Sequence, residues 1–133
     1  MYHLTRFYYR ELVVIIIRSE QIRDLEKKRL DSFVQSIADD LRRDFPEYAH
    51  FTPQKELEIF IRDSISIAET YGLDSEYTIA RFIDYRLRLD SDIPTRPEHK
   101  WALDILCAQN LSADEKVAAI DHFAFQHSEQ DEN

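Results

Sequence analysis

Hydrophobic residues recur at three- and four-residue steps along most of this chain. Between residues 18 and 45 the apolar positions are Ile22, Leu25, Leu30, Phe33, Val34, Ile37 and Leu41. That is the spacing of one helix face. Charged residues fill the other side, with Asp24–Lys28 and Asp39–Arg43 at supporting four-residue distances. Phe45-Pro46 ends this helix, because proline forces the residue before it out of helical conformation. Thr52-Pro53 restarts the pattern as a cap followed by a first-turn proline. Leu57, Phe60, Ile61, Ile65 and Ala68 then carry an apolar face to Tyr71. Gly72 stops it as a left-handed residue just past the helix end. A third helix, capped by Asp74 or Ser75, runs through Ile79, Phe82, Ile83 and Leu87 to about Leu89.

Residues 92–101, Asp-Ile-Pro-Thr-Arg-Pro-Glu-His-Lys-Trp, crowd an acid, a histidine, a lysine and the single tryptophan together, as active sites do. Thr95-Arg-Pro-Glu98 also fits a capping box, in which threonine and glutamate satisfy each other's free amides. Pro97 is tolerated in a first turn. The helix-entry reading makes Glu98 a capping residue and leaves His99 and Lys100 in solvent. Trp101, Ile105 and Leu106 line the inward face. Ser112-Ala-Asp-Glu115 repeats the device before Val117, Ile120 and Ala124.

These patterns predict an all-α, single-domain bundle of about five helices near 18–45, 53–71, 75–89, 96–108 and 113–125. Phe33, Ile37, Ile61, Ile65, Phe82, Trp101, Ile105 and Ile120 are expected to share one core. Residues 1–17 form an N-terminal extension, 18–125 the helical core and 126–133 an acidic tail. The extension is the exception to the pattern. Phe7, Tyr8, Tyr9 and the run Leu12–Ile17 favour a strand by composition. With no partner strand on offer, the expectation is an extended or weakly ordered segment.

Composition then narrows the function. The chain has 133 residues, 44% hydrophobic and 32% charged, enough for one domain with a real core. Its longest strictly apolar run, Leu12–Ile17, is six residues. A membrane-spanning helix needs about 20, and a signal peptide needs a longer apolar stretch and a small-residue cleavage site. A cytoplasmic protein is expected. One glycine cannot build a phosphate-cradling loop, a dinucleotide fingerprint or a nucleophile elbow. Net charge is −9, unevenly placed. Residues 1–30 hold seven Lys/Arg against four Asp/Glu, a surplus of +3. Residues 31–133 hold ten against twenty-two, a surplus of −12. Such a surface repels nucleic acid and anionic membrane, and suits a basic protein partner.

Candidate chemistry is sparse. Cys107, the only cysteine, excludes an internal disulfide and reads as a buried thiol on a packed helix. Of the five histidines, His122 and His127 stand five apart, not the four that would present both to a zinc ion. No metal or cofactor is expected. Asp84 and Asp104 interrupt apolar patterns, so both are expected to be partly buried. A partly buried carboxylate can act as a general acid, but pairing with Arg81, Arg86 or Arg88 is the simpler use. No strained turn presents a serine to a histidine. The basic stretch Arg23–Arg29 and Arg42-Arg43 is interleaved with acids and lacks aromatics for base stacking, so it reads as a solvated face. The reading is a non-enzymatic, protein-binding chain with no assigned catalytic, cofactor, metal or partner-contacting residue. A small carboxylate-dependent enzyme or effector is the competing class.

Three stretches together resemble a known group: Ile-Ile-Arg-Ser-Glu-Gln at 16–21, Tyr-Gly-Leu-Asp-Ser-Glu-Tyr-Thr-Ile-Ala-Arg-Phe at 71–82, and Trp-Ala-Leu-Asp-Ile-Leu at 101–106, followed by a short acidic helix. In this order, over about residues 15–125, the chain is similar to small helical proteins of Gram-negative bacteria encoded beside type VI secretion spike, PAAR and effector genes. The resemblance implies a cytoplasmic accessory factor, an adaptor or chaperone that binds a secreted effector or spike component. An immunity protein covering a basic toxin is the alternative, and a homodimer is compatible with either. The group supplies no catalytic residues to carry over.

Overall fold

The computed structural model describes residues 2–126, with side chains at Gln21 and from Arg23 to Phe125. Most of the expected acidic tail, His127 included, lies outside the described residues. Six α-helices follow in order: α1 (Tyr2–Asp44), α2 (Pro46–His50), α3 (Gln54–Thr70), α4 (Glu76–Arg88), α5 (Lys100–Leu106) and α6 (Ala113–Asp121). A 3₁₀ turn, Pro97–His99, leads into α5, and a π turn, His122–Gln126, extends α6. The all-α class therefore stands, with one short helix, α2, beyond the expected five.

At the N-terminus only the extended alternative gives way: α1 begins before residue 18 and is helical from Tyr2. Strand propensity in Phe7–Tyr9 and Leu12–Ile17 amounts to tenths of a kcal/mol per residue in helix terms. Without a partner strand that preference has no ladder to join. Propagating an existing helix satisfies each backbone amide locally, so the helix continues.

Helix ends follow their sequence signals in four places. Phe45 leaves helical conformation at φ −129° before Pro46. Gly72 is left-handed, φ +81°. The Leu73 amide donates to Ala68 and the Gly72 amide to Glu69, both at 3.0 Å, which makes a Schellman ending. Ser75 caps α4 and Ser112 caps α6, each in a reciprocal box three residues long. Two other signals fail. Thr52 does not cap α3; its hydroxyl donates to the Tyr48 carbonyl at 2.6 Å, within the α2 turn. The Thr95–Glu98 box does not form either. Residues 91–95 turn too tightly, and Thr95 donates to the Asp92 carbonyl at 3.0 Å while Arg96 occupies the cap position.

One apolar cluster joins the described helices, centred on Leu57, Ile61, Phe82, Ile83, Tyr85 and Leu106, all at or below 1% exposure. Ile37, Ile61, Ile65, Phe82 and Ile120 sit in it as expected, whereas Phe33, Trp101 and Ile105 pack on its edge. Helix α3 packs against both α1 and α4, and α6 against α4 and α5. Charged groups on the surface hold α1 to α3. Arg62 meets Asp31 at 2.7 Å, Arg42 reaches Gln54 at 2.6 Å, and Gln35 donates to Glu58. Arg43 pairs with Asp40 and Asp44, not with Asp39.

Length decides how much of α1 is covered. Its 43 residues span about 64 Å, while the 17 of α3 span about 26 Å. The described residues at 21 and 23–30 are all exposed, including Leu25 at 61%. The apolar face read over 18–45 is buried only from its middle onward. Among the described residues, no helix is long and apolar enough to cross a membrane.

Candidate functional site

The residues singled out by sequence do not converge on one centre. Asp104 is exposed, because the seven-residue α5 turns it outward beside buried Ala102 and Leu106. Cys107 is exposed as well, not buried: α5 stops at Leu106, and Cys107 is the residue at which the chain leaves the helix. Arg23–Arg29 is solvated, as expected. Among the described residues no cluster of His, Cys, Asp and Glu has the geometry to hold a metal ion.

Asp84 is the carboxylate that does become partly buried, 14% exposed. It pairs with Arg81 at 3.0 Å and Arg88 at 2.8 Å, on the same face of α4. Arg81 extends further, to Asp121 of α6 at 2.7 Å. Tyr85 directs its hydroxyl at the same Asp121 oxygen (2.5 Å), with the Val117 carbonyl at 3.1 Å. Burial, then the hydrogen bond to Asp121, pushes the Tyr85 phenol well above the ordinary tyrosine range. Burial works against the Arg81 charge, but its bonds to Asp121 and the nearby acids outweigh that and hold the guanidinium protonated. The network has its donors matched to acceptors except Arg81 Nε, which is buried without a partner. It ties α4 to α6. Both Tyr85 and Arg81 keep their protons near neutral pH.

The stretch 92–101 resolves in the same structural sense. Asp90, 15% exposed, accepts from the Asp92 amide at 3.0 Å and pairs with Arg96 at 3.1 Å and His99 at 3.5 Å. His99 is therefore half-buried beside a carboxylate instead of solvated, whereas Lys100 and Glu98 are exposed. Arg86 fastens the loop from beneath. Its side chain is 9% exposed, donates to the Ser91 carbonyl (2.8 Å) and Ser64 hydroxyl (2.6 Å), and lies 4.6 Å over the Phe60 ring. These contacts explain the crowding: the polar side chains organise the loop.

An open feature also lies between α1 and α4. Both helices pack on α3 but not closely on each other. The space between them forms two adjoining hollows. The upper one, about 410 Å³, is lined by Leu25, Lys28, Arg29 and Phe33 of α1 and by Glu76 of α4. The lower, about 180 Å³, is lined by Ile37, Asp40 and Asp44 of α1 and by Tyr77, Arg81 and Asp84 of α4. The α1 residues step by three and four, so they form one continuous face. Leu25 and Tyr77 are 61% and 60% exposed, large apolar side chains left in solvent at the two walls. Charge is divided along α1: residues 21–30 carry four Lys/Arg against two Asp/Glu, residues 31–44 two against four. Sequence reasoning placed Leu25 on a covered face and Tyr77 nowhere. The available signal was the mismatch between a very long first helix and the short ones after it.

Compared with known protein families, curated proteins and solved structures, the chain matches none.

Proposed function

We propose that this chain is a protein-binding accessory factor rather than an enzyme. The observation that carries the reading is the α1–α4 groove, where Leu25 and Tyr77 stand exposed between charged walls. Exposed apolar side chains rimmed by charge are what protein interfaces are made of. The three stretches at 16–21, 71–82 and 101–106 supply the cellular setting of the proposal: a cytoplasmic adaptor or chaperone for a secreted type VI effector or spike component. The surplus of −12 over residues 31–133 points to a client with a basic surface, steered in by long-range attraction.

An immunity protein that covers a basic toxin uses the same charge, and co-expression separates the two. Protection of cells from one captured protein supports immunity; improved solubility or delivery of that protein supports the adaptor. The test of the whole reading is affinity capture from a native Gram-negative host, followed by reconstitution with the purified client. A specific basic client, lost on Leu25→Asp with the melting temperature unchanged, is the expected result. Capture of nothing beyond background, or turnover of a small molecule by the purified chain, overturns it.

A further inference from the structure

We infer that the α1–α4 groove is filled by a second copy of this chain, in an antiparallel two-fold dimer. The inference rests on reading the groove as a protein-binding surface and names its occupant. A two-fold interface must be self-complementary, because each patch meets its own copy turned end for end. This groove has that property. Its upper end presents Lys28 and Arg29, and its lower end Asp40 and Asp44. An antiparallel α1 centred near Val34 brings Lys28 of each copy level with Asp40 of the other. Leu25 then comes level with Arg43, within one helical turn of Leu41 and Asp44, at the lower hollow where Tyr77 also stands exposed. A parallel pairing sets like charges together at both ends, which disfavours it.

The acids at the lower end already have local partners, and these do not close the groove. Arg43, which pairs with Asp40 and Asp44, is 70% exposed and free to swing outward, since exposed pairs hold weakly. Arg81 and Arg88 are committed to Asp84. The groove spans residues 25–44 of α1, about 29 Å of helix. The single α1 thus gains over its middle the cover that the short helices of its own copy cannot supply.

Sedimentation velocity on the full chain tests this directly. The wild type is expected to sediment as a dimer. Lys28→Glu with Arg29→Glu turns both ends of the groove acidic, and Asp40→Lys with Asp44→Lys turns both basic. Each double variant is expected to weaken self-association at least about tenfold, since like charges then face each other. Mixing the two variants is expected to restore dimers, because both contacts become complementary again. Lys28 and Arg29 lie on an exposed stretch of helix, so the first variant keeps its fold, and circular dichroism verifies it. Leu25→Asp, which removes the groove's apolar anchor, offers a second route to the monomer. A monomeric wild type overturns the inference, as do dimers indifferent to the reversals or a mixture that stays monomeric. A monomer that still captures a client through Leu25 overturns the dimer alone and leaves the accessory role standing.

Discussion

At the scale of single residues, three positions separate by what surrounds them. Gly72 holds φ +81°, and a Cβ there would meet only Lys116 Nζ, at 3.7 Å. Space is therefore not the obstacle; the left-handed backbone is. Gly72→Ala is expected to lower stability by about 1–2 kcal/mol in chemical denaturation. Ser112 and Thr95 looked alike in sequence, each opening a capping box, but only Ser112 accepts from the amide three residues on, at 3.1 Å. Ser112→Ala should lose about 0.5–2 kcal/mol, and Thr95→Ala under about 0.5 kcal/mol. Equal losses would mean that Thr95 caps after all. Tyr85 sets a pH dependence. Its folded pKa lies above its unfolded value near 10, so the folded chain keeps a proton that the unfolded chain releases. Stability is complete below pH 10 and declines as pH rises beyond it. Melting curves from pH 9 upward should show this decline, and Tyr85→Phe should flatten it.

At the scale of elements, α1 is two structures on one helix. Ile37 is 6% exposed and Leu25 is 61% exposed, though twelve residues of regular helix connect them. Ile37→Ala should cost about 2–5 kcal/mol, the range for buried truncations. Leu25→Ala should fall within about 0.5 kcal/mol of wild type at concentrations where the chain is monomeric. A large Leu25 effect there would mean that α1 is covered within its own copy. Helices α3 and α4 are placed by polar cross-links as well as by the core. Arg86 joins Ser64, Ser91 and the Phe60 ring, and Arg81 joins Asp84 and Asp121. That division of labour leaves the α1–α4 space unfilled.

At the scale of the whole molecule, charge and shape act on different steps of association. For the basic client of the proposed accessory role, a surplus of −12 over residues 31–133 would supply attraction from a distance, confined by screening to about 8 Å at physiological salt. The on-rate for the client should therefore drop markedly between low and high salt in stopped-flow or surface measurements, with dissociation changing less. A salt-independent on-rate would assign recognition to apolar contact and the charge to solubility alone.

Much of the fold was legible before any coordinates. Three- and four-residue spacing, Phe45-Pro46, Gly72 and Ser112–Glu115 determine helices and their ends, because each acts through its own few neighbours. Helices α3 and α4 fall within one residue of their expected limits, the ordinary uncertainty of a helix end. The absence of glycine loops and of paired metal-ligand histidines likewise belongs to the sequence alone. What local signals could not determine was competition. Thr95 and Thr52 had helix caps available, yet each donates to a carbonyl of the turn before it. Strand-favouring residues near the start had no strand to pair with and remained helical. Asp84 and Asp104 looked equivalent until the packing of α4 on α6 buried one and the shortness of α5 exposed the other. The groove itself arises because α1 and α4 both pack on α3 without closing on each other. Periodicity tells a residue which face it occupies, and only the assembled helices decide whether anything covers that face.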